Sequence, residues 1–338
     1  MAAAAPILSF IIPFYASHDN LAACVQSVAE HCSLPYEILV LDDGNEGYDY
    51  SRVADCPAIR IIAGSENCGP SIRRNQGIEA AHGTYVQFID SDDTIIGDPA
   101  NYFDQARRAG TEKPDVITGL LEGGGLFPRL AQGLPRNTSL AQDLPLVKLG
   151  VFTAHLYRRD FLSAHKIEFP ADLRGGEDTV FLMRVWGKAK NVVLTDLAYY
   201  RYRQVDNSLT KPNSPKHHSF LPGGSFEHRF KVGVGYMMTA LEGYPSAQLV
   251  RGSISIKYGI KGLQRILSQN DKVAFSAAVR VLAQLIERAE ILKEEADTIR
   301  QQAGVYWDDG LQDIVTQLSE MQLNTLSARL SDKDIRLF

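Results

Sequence analysis

Over roughly the first hundred residues, apolar runs of strand length alternate with segments of helical spacing. Residues 8–14 are β-branched and apolar, ended by Pro13, and 20–31 place Leu21, Val25 and Val28 on one helical face. A second strand is predicted over 36–41, stopped by Asp42-Asp43-Gly44, and a third over 59–63. The spacing then predicts a helix over 71–81 with Gly83 as its C-cap, followed by a fourth strand over 85–89. Such βαβ alternation implies a mostly parallel sheet with helices on both faces and right-handed connections.

Residues 119–145 are rich in Gly, Pro and Leu and read as loops that shape a site. Strands are predicted over 151–157 and 191–202, with a helix over 177–186 between them. Past about residue 215 the pattern turns helical, in segments 226–241, 253–267, 273–296 and 310–323. The stretch 272–300 is strongly amphipathic, with Val273, Val281, Leu285, Ile286 and Leu292 on its inward face. The expected fold class is α/β, with an α-helical C-terminal region over 216–338 after two halves of one domain, 1–110 and 111–215.

The 338 residues exceed one ordinary core, and a net charge of −5 gives no basic excess of the kind nucleic-acid binding shows. Four cysteines, Cys24, Cys32, Cys56 and Cys68, form no Cys-x-x-Cys pair and read as buried small apolar residues in a reducing compartment. The first six residues do not make a signal peptide, and no apolar run reaches the roughly 18–20 residues of a membrane span. A cytosolic protein is expected, with peripheral attachment at the inner face of the cell membrane left open.

Candidate chemistry collects at the predicted strand ends. The run Tyr85 to Ile89 leads into Asp90-Ser91-Asp92-Asp93, which reads by itself either as a solvated acidic turn or as a metal site, since carboxylates so close together are best tolerated around a divalent cation. In an open α/β sheet this edge is also where ligands bind. Asp42 and Asp43 end the second strand, where a carboxylate can accept from a ribose or a base N–H. Gly64 and Gly69 stand at P-loop spacing, but Pro70 replaces the required lysine. The helix starting there carries Arg73 and Arg74, either an anion-friendly helix start or a solvated basic face. Glu177 and Asp178 open another helix after Gly175-Gly176, where the dipole favours carboxylates and a general base can be held rigidly. Tyr199-Tyr200-Arg201-Tyr202-Arg203 then reads as a basic aromatic strand, either plain sheet packing or one whose arginines can neutralise a diphosphate.

Taken in order, these motifs resemble the family 2 glycosyltransferases, inverting nucleotide-sugar enzymes with the GT-A fold. The matching residues are Pro13-Phe14-Tyr15, Asp42-Asp43-Gly44, Asn67, Gly69, Arg74, Asn75 and Gly77, then Asp90 to Asp93, Glu177-Asp178, and Tyr199 to Thr210. The last stretch looks like the bacterial polysaccharide members. The resemblance spans roughly residues 7–212. The Gln-x-x-Arg-Trp mark of processive members is absent, which implies transfer of a single sugar. Many relatives carry a histidine where Val205-Asp206 stand here, and His217 and His218 are the candidate replacements.

The resemblance implies a nucleotide-diphosphate sugar donor, most often a UDP-sugar, and a saccharide or lipid-linked acceptor. Residues 1–110 would be the nucleotide-sugar half and 111–215 the acceptor half. Pro13, Tyr15 and Asp43 would line the base and ribose pocket, with Asp42 in support. Arg74 would approach the base or diphosphate, and Arg203 the diphosphate. Asp92 would bind Mg²⁺ or Mn²⁺, and Asp90 the ribose or a metal-bound water. Asp178 would be the general base, with Glu177 beside it. The alternatives are a catalytically inactive scaffold or complex subunit and a sugar nucleotidyltransferase. The latter is opposed by Tyr15 to Asp19 standing where a Gly-rich loop is needed. Homo-oligomerisation stays open.

Overall fold

A computed structural model describes residues 5–16, 20–124, 126, 131–139, 151–173 and 176–203. All lie in the first of the two units into which the chain divides, 1–218 and 219–338. The expected C-terminal helices, with Val205, Asp206, His217 and His218, fall outside the described residues.

Strand β1 (Leu8–Phe14) lies between β2 (Tyr36–Asp42) and β4 (Tyr85–Phe88), parallel to both, and β3 (Ile59–Ile62) pairs in parallel beyond β2. Every residue of β4 is buried, as is β2 from Glu37 onward. Continuous burial of this kind marks a parallel sheet covered on both faces, which is why these strands read as mostly apolar runs, with Glu37 and Gln87 buried among them. Beyond β4 come β9 (Leu156–Arg158), β6 (Val116–Ile117), β10 (Val192–Leu194) and β8 (Arg136–Thr138), completing the order β3-β2-β1-β4-β9-β6-β10-β8. β9 and β8 run antiparallel to their neighbours, so the sheet is mostly parallel, as expected. A small second sheet joins β5 (Thr94–Ile95), β11 (Ala198–Arg201) and β7 (Leu120–Leu121).

Helices α1 (Leu21–His31), α3 (Pro70–Ala80) and α6 (Glu177–Trp186) follow the spacing closely. α2 (Ser51–Ala54), α4 (Ala100–Arg108) and α5 (Arg159–Ala164) were not expected; α2 and α5 are too short to show a period, and α4 buries only Tyr102 and Ala106. α3 sits directly on β1, since a Cβ at Gly77 would lie 2.3 Å from Ile11 Cγ2.

Several expectations are corrected. Gly83 is not the C-cap of α3, whose last turn gives way to an extended Ala81; Gly83 instead passes β1 so closely that a Cβ would lie 2.6 Å from Ser9 Oγ. The predicted strand over 151–157 is a 3₁₀ turn (Phe152–Ala154) followed by β9. The strand over 191–202 is two, β10 and β11, in different sheets. The loop region 119–145 contributes β7 and β8. Of the cysteines only Cys24 is buried; Cys32, Cys56 and Cys68 are half-buried, and all four are free thiols.

Candidate active site

The carboxyl ends of β1, β2 and β4 lie side by side, and two side chains sew their loops together. Asn45, just past β2, takes two hydrogen bonds to Asp42 Oδ1, from its backbone N at 2.9 Å and from Nδ2 at 2.6 Å. The same amide reaches the end of β1, with Nδ2 donating to Phe14 O at 2.9 Å and Oδ1 accepting from Ala16 N at 2.8 Å. Burial alone would raise the Asp42 pKa, but the bonds from Asn45 hold it below the usual carboxylate range. Pro13 is half-buried within β1, opposite Leu41, and Tyr15 is 45% exposed just beyond the strand.

Asp43 is buried, and both its oxygens are occupied. Oδ1 accepts from Cys68 N at 2.7 Å and from Arg73 Nε at 2.9 Å, while Oδ2 accepts from Gly69 N at 3.0 Å. The carboxylate therefore pins the loop that enters α3. Gly69 serves that turn with φ +88°, a left-handed value that glycine adopts without penalty. Arg73 is buried as well, and its Nη2 donates to Glu66 O at 2.7 Å and its Nη1 to Gln76 at 2.8 Å. Neither Arg73 nor Arg74 is the solvated face that an adjacent pair can suggest.

At the end of β4, Asp90 Oδ1 accepts from Arg74 Nη2 at 2.8 Å and keeps 36% of its side chain exposed. Asp92 is half-buried on the same loop. Asp93 turns inward: Tyr200 Oη donates to its Oδ2 at 2.7 Å and Arg203 N to its Oδ1 at 2.9 Å. Burial, reinforced by the negative Asp90 and Asp92, pushes the Asp93 pKa up to about 7 despite those two donors. Asp90 N donates in turn to Tyr200 Oη at 3.1 Å, so β11 holds the acidic loop at two points. Arg203 thus meets the site through its backbone, its side chain half-buried.

The opposite side is the start of α6. Glu177 Oε1 lies 3.5 Å from Arg74 Nη1, and Asp178 Oδ1 accepts from Thr179 N at 2.7 Å. Arg74 therefore stands between Asp90 and Glu177. Burial alone would lower its pKa, but Asp90 and Glu177 together raise it. The structure brings together Asp90, Asp92, Arg74, Glu177 and Asp178, and sets Asp42, Asp43, Pro13 and Tyr15 at the neighbouring strand ends. Sequence reasoning missed Asn45, for which the Gly44-Asn45 turn was the visible signal, and it named Arg73 only as one of an arginine pair, without its buried partner Asp43.

The donor set at the end of β4 fits a divalent cation. Asp90 and Asp92 supply the hard oxygens that Mg²⁺ and Mn²⁺ take. Among the described residues no three His, Cys, Asp or Glu side chains gather as a ready cage. Mg²⁺ is commonly held by only one or two carboxylates, with substrate phosphates completing the shell.

Residues 9–162 match the family described as "Glycosyl transferase family 2". Among curated relatives, the uncharacterized glycosyltransferase EpsJ of Bacillus subtilis is 28% identical over 229 residues, 61% of this chain and 63% of its own length. The poly(ribitol-phosphate) beta-glucosyltransferase of Bacillus spizizenii is 30% identical over 211 residues, 57% of this chain and 32% of its own. The chain thus spans less than two thirds of the length of these relatives. Among solved structures, S. aureus TarS 1-349 in complex with UDP-GlcNAc superposes with a TM-score of 0.67 at 18% identity, covering 95% of this chain and 89% of that one. The mannosyltransferase PcManGT from Pyrobaculum calidifontis, in complex with GDP-Man and Mn²⁺, gives 0.52 at 14% identity, covering 98% and 88%. These likenesses show the GT-A fold.

Proposed function

We propose that the protein is an inverting glycosyltransferase of the family whose model matches residues 9–162, glycosyl transferase family 2. It moves one sugar from a nucleotide-diphosphate sugar, a UDP-sugar, to a hydroxyl of a saccharide or lipid-linked saccharide in surface polysaccharide synthesis. The observation that carries this reading is the placing of Asp178, at the start of α6, across Arg74 from the carboxylates that end β4. A base-bearing helix and a diphosphate-binding strand end thereby face one site. The bound nucleotides of TarS and the Mn²⁺ of PcManGT support the choice of donor and metal.

The base and ribose lie over Pro13, Tyr15 and the Asp42–Asp43 turn, with Asp90 reaching toward the ribose. Asp92, with Asp90, would hold Mn²⁺ or Mg²⁺, which would supply Lewis acidity toward a departing diphosphate, worth several kcal/mol. Arg203 adds positive charge on the same side. Asp178 takes the proton of the acceptor hydroxyl as its oxygen bonds to the anomeric carbon and the bond to the diphosphate breaks on the opposite face. The configuration inverts, and general-base assistance contributes about 10²–10⁴-fold. A lipid-linked acceptor would bring the protein to the inner face of the membrane from the cytoplasm. Among the described residues no helix is long and apolar enough to cross one.

The test is calorimetric titration of UDP and GDP, with and without Mn²⁺, into wild type, Asp92→Ala and Asp178→Asn. Metal-dependent UDP binding should vanish in Asp92→Ala and persist in Asp178→Asn, whose transfer falls by about 10²–10⁴-fold. Binding of GDP alone would change the donor, and no binding of either nucleotide would end the catalytic reading.

A further inference from the structure

Arg74 is built into the protein in a way that a ligand-binding arginine is not. Its side chain is 6% exposed, and its Cζ lies 4.7 Å from the ring centre of Phe152 and 5.2 Å from that of Phe169. Stacking on rings in a dry site fixes the plane of a guanidinium. Phe169 is itself held from two sides. Asn75 of α3 exchanges two hydrogen bonds with its backbone, at 2.8 and 2.9 Å, and its ring stacks on Phe181 of α6 at 4.1 Å with planes 1° apart. The stack of Arg74, Phe169 and Phe181 therefore runs from α3 to α6. Nη2 is bonded to Asp90, whereas Nη1 makes no hydrogen bond and has the Glu177 carboxylate 3.5 Å away.

We propose that Arg74 is a positioning residue: one buried guanidinium holds Asp90 at the end of β4 and Glu177 at the start of α6, setting the acceptor-side helix against the donor-side strand without touching the donor. The inference rests on the functional reading above, in which these two elements carry the cation and the base. Asp90 lies on one side of Arg74 and Glu177 and Asp178 on the other, and like charges drive the two elements apart unless a cation is fixed between them. Glu177 directly precedes Asp178, so holding its side chain sets the rotation of the first turn of α6 and with it the direction of the Asp178 carboxylate. A donor-contacting arginine, by contrast, would expose N–H groups to the pocket, whereas the Nε and Nη1 of Arg74 that make no hydrogen bond are buried.

The experiment compares full-length wild type with Arg74→Met, Arg74→Lys, Glu177→Gln and the double variant Arg74→Met/Glu177→Gln. UDP affinity with Mn²⁺ is read by calorimetry, turnover by UDP release from a UDP-sugar, and stability by urea unfolding. Arg74→Met should lower kcat at least tenfold while the Kd for UDP moves less than threefold. Arg74→Lys should recover part of kcat. Glu177→Gln should lower kcat in wild type and add little on top of Arg74→Met, with losses of stability equally sub-additive. If Kd for UDP rises tenfold or more in Arg74→Met at unchanged kcat, Arg74 contacts the donor and the proposal is overturned. Independent, multiplying effects of the two substitutions overturn it too. Should Arg74→Met fail to fold, the split between kcat and Kd in Glu177→Gln decides. Wild type that binds no nucleotide sinks the functional reading, while the stability cycle still decides whether Arg74 couples the two elements.

Discussion

Asp43→Asn tests the claim that the donor-side edge is held by one buried carboxylate. The acid is 3% exposed and Arg73 is 4% exposed, so the pair is out of water. Three donors converge on Asp43: Cys68 N, Gly69 N and Arg73 Nε. Hydrogen bonds to a charged group contribute about 1.5–3 kcal/mol each. The single oxygen of asparagine can keep two of the three, and its NH₂ then faces the third donor. Removing one charge of a buried pair costs about 3–5 kcal/mol, because the other is left uncompensated. Arg73 retains Glu66 O and Gln76, which places the loss near the lower end, about 3 kcal/mol out of a typical total of about 5–15 kcal/mol. Urea unfolding followed by circular dichroism reads this directly. On the proposed placing of the nucleotide base, UDP affinity should fall with it, since the loop entering α3 is anchored by the same bonds. The double variant Asp43→Asn/Arg73→Met should be less destabilised than the sum of the single variants, as expected for residues in contact. A loss under about 1 kcal/mol with unchanged UDP binding would refute the reasoning, since a buried pair cannot be that inexpensive to break.

His155 gives a pH signature. It is fully buried, its Nδ1 accepts from Gly119 N at 3.2 Å, and burial pulls its pKa down from the ordinary 6.5 to about 4. The unfolded chain therefore binds more protons between those values, so stability is lost as pH falls from about 6.5 toward 4, by on the order of 3 kcal/mol. His155→Gln should flatten that limb relative to wild type in urea titrations at stepped pH, and parallel curves would remove His155 as the cause. Gly77→Ala drives a methyl to within 2.3 Å of Ile11 Cγ2 and should cost about 1–3 kcal/mol in thermal unfolding; a neutral outcome would mean that α3 can lift off β1. Asn45→Ala deletes the bracket between Phe14, Ala16 and Asp42 and should cost about 1–3 kcal/mol, with weaker UDP binding; unchanged affinity would detach this bracket from the site.

The first four strands were legible because β1, β2 and β4 are runs of mostly apolar, buried residues and β3, half-buried to exposed, is still rich in isoleucine, with Asp, Gly or Pro close by, a signal carried within a few positions of the chain. The second half was not, since β5, β6 and β7 have two residues each and exist only through partners far away in sequence. Two residues cannot show a period of two. The end of β4 was visible as an acidic strand end, but its wiring was not: Asp93 is satisfied by Tyr200 and by the backbone of Arg203, more than a hundred positions on.

The arginine pair shows why such wiring hides. Side by side in a helix, Arg73 and Arg74 read equally well as a solvated face. Yet consecutive residues on an α-helix point about 100° apart, so the two side chains cannot serve the same partner. α3 lies on β1 through Gly77 and Ile11, and β1 has β2 on one side and β4 on the other. Arg73 therefore reaches the end of β2 at Asp43, and Arg74 reaches the end of β4 at Asp90. One turn of helix locks both strands that flank β1 at the edge where a ligand would lie. Moving either arginine by one position would turn its charge away from its carboxylate and take the ion pair from the strand end it holds. Their adjacency is thus a requirement of the sheet order, and it becomes readable only once that order is known.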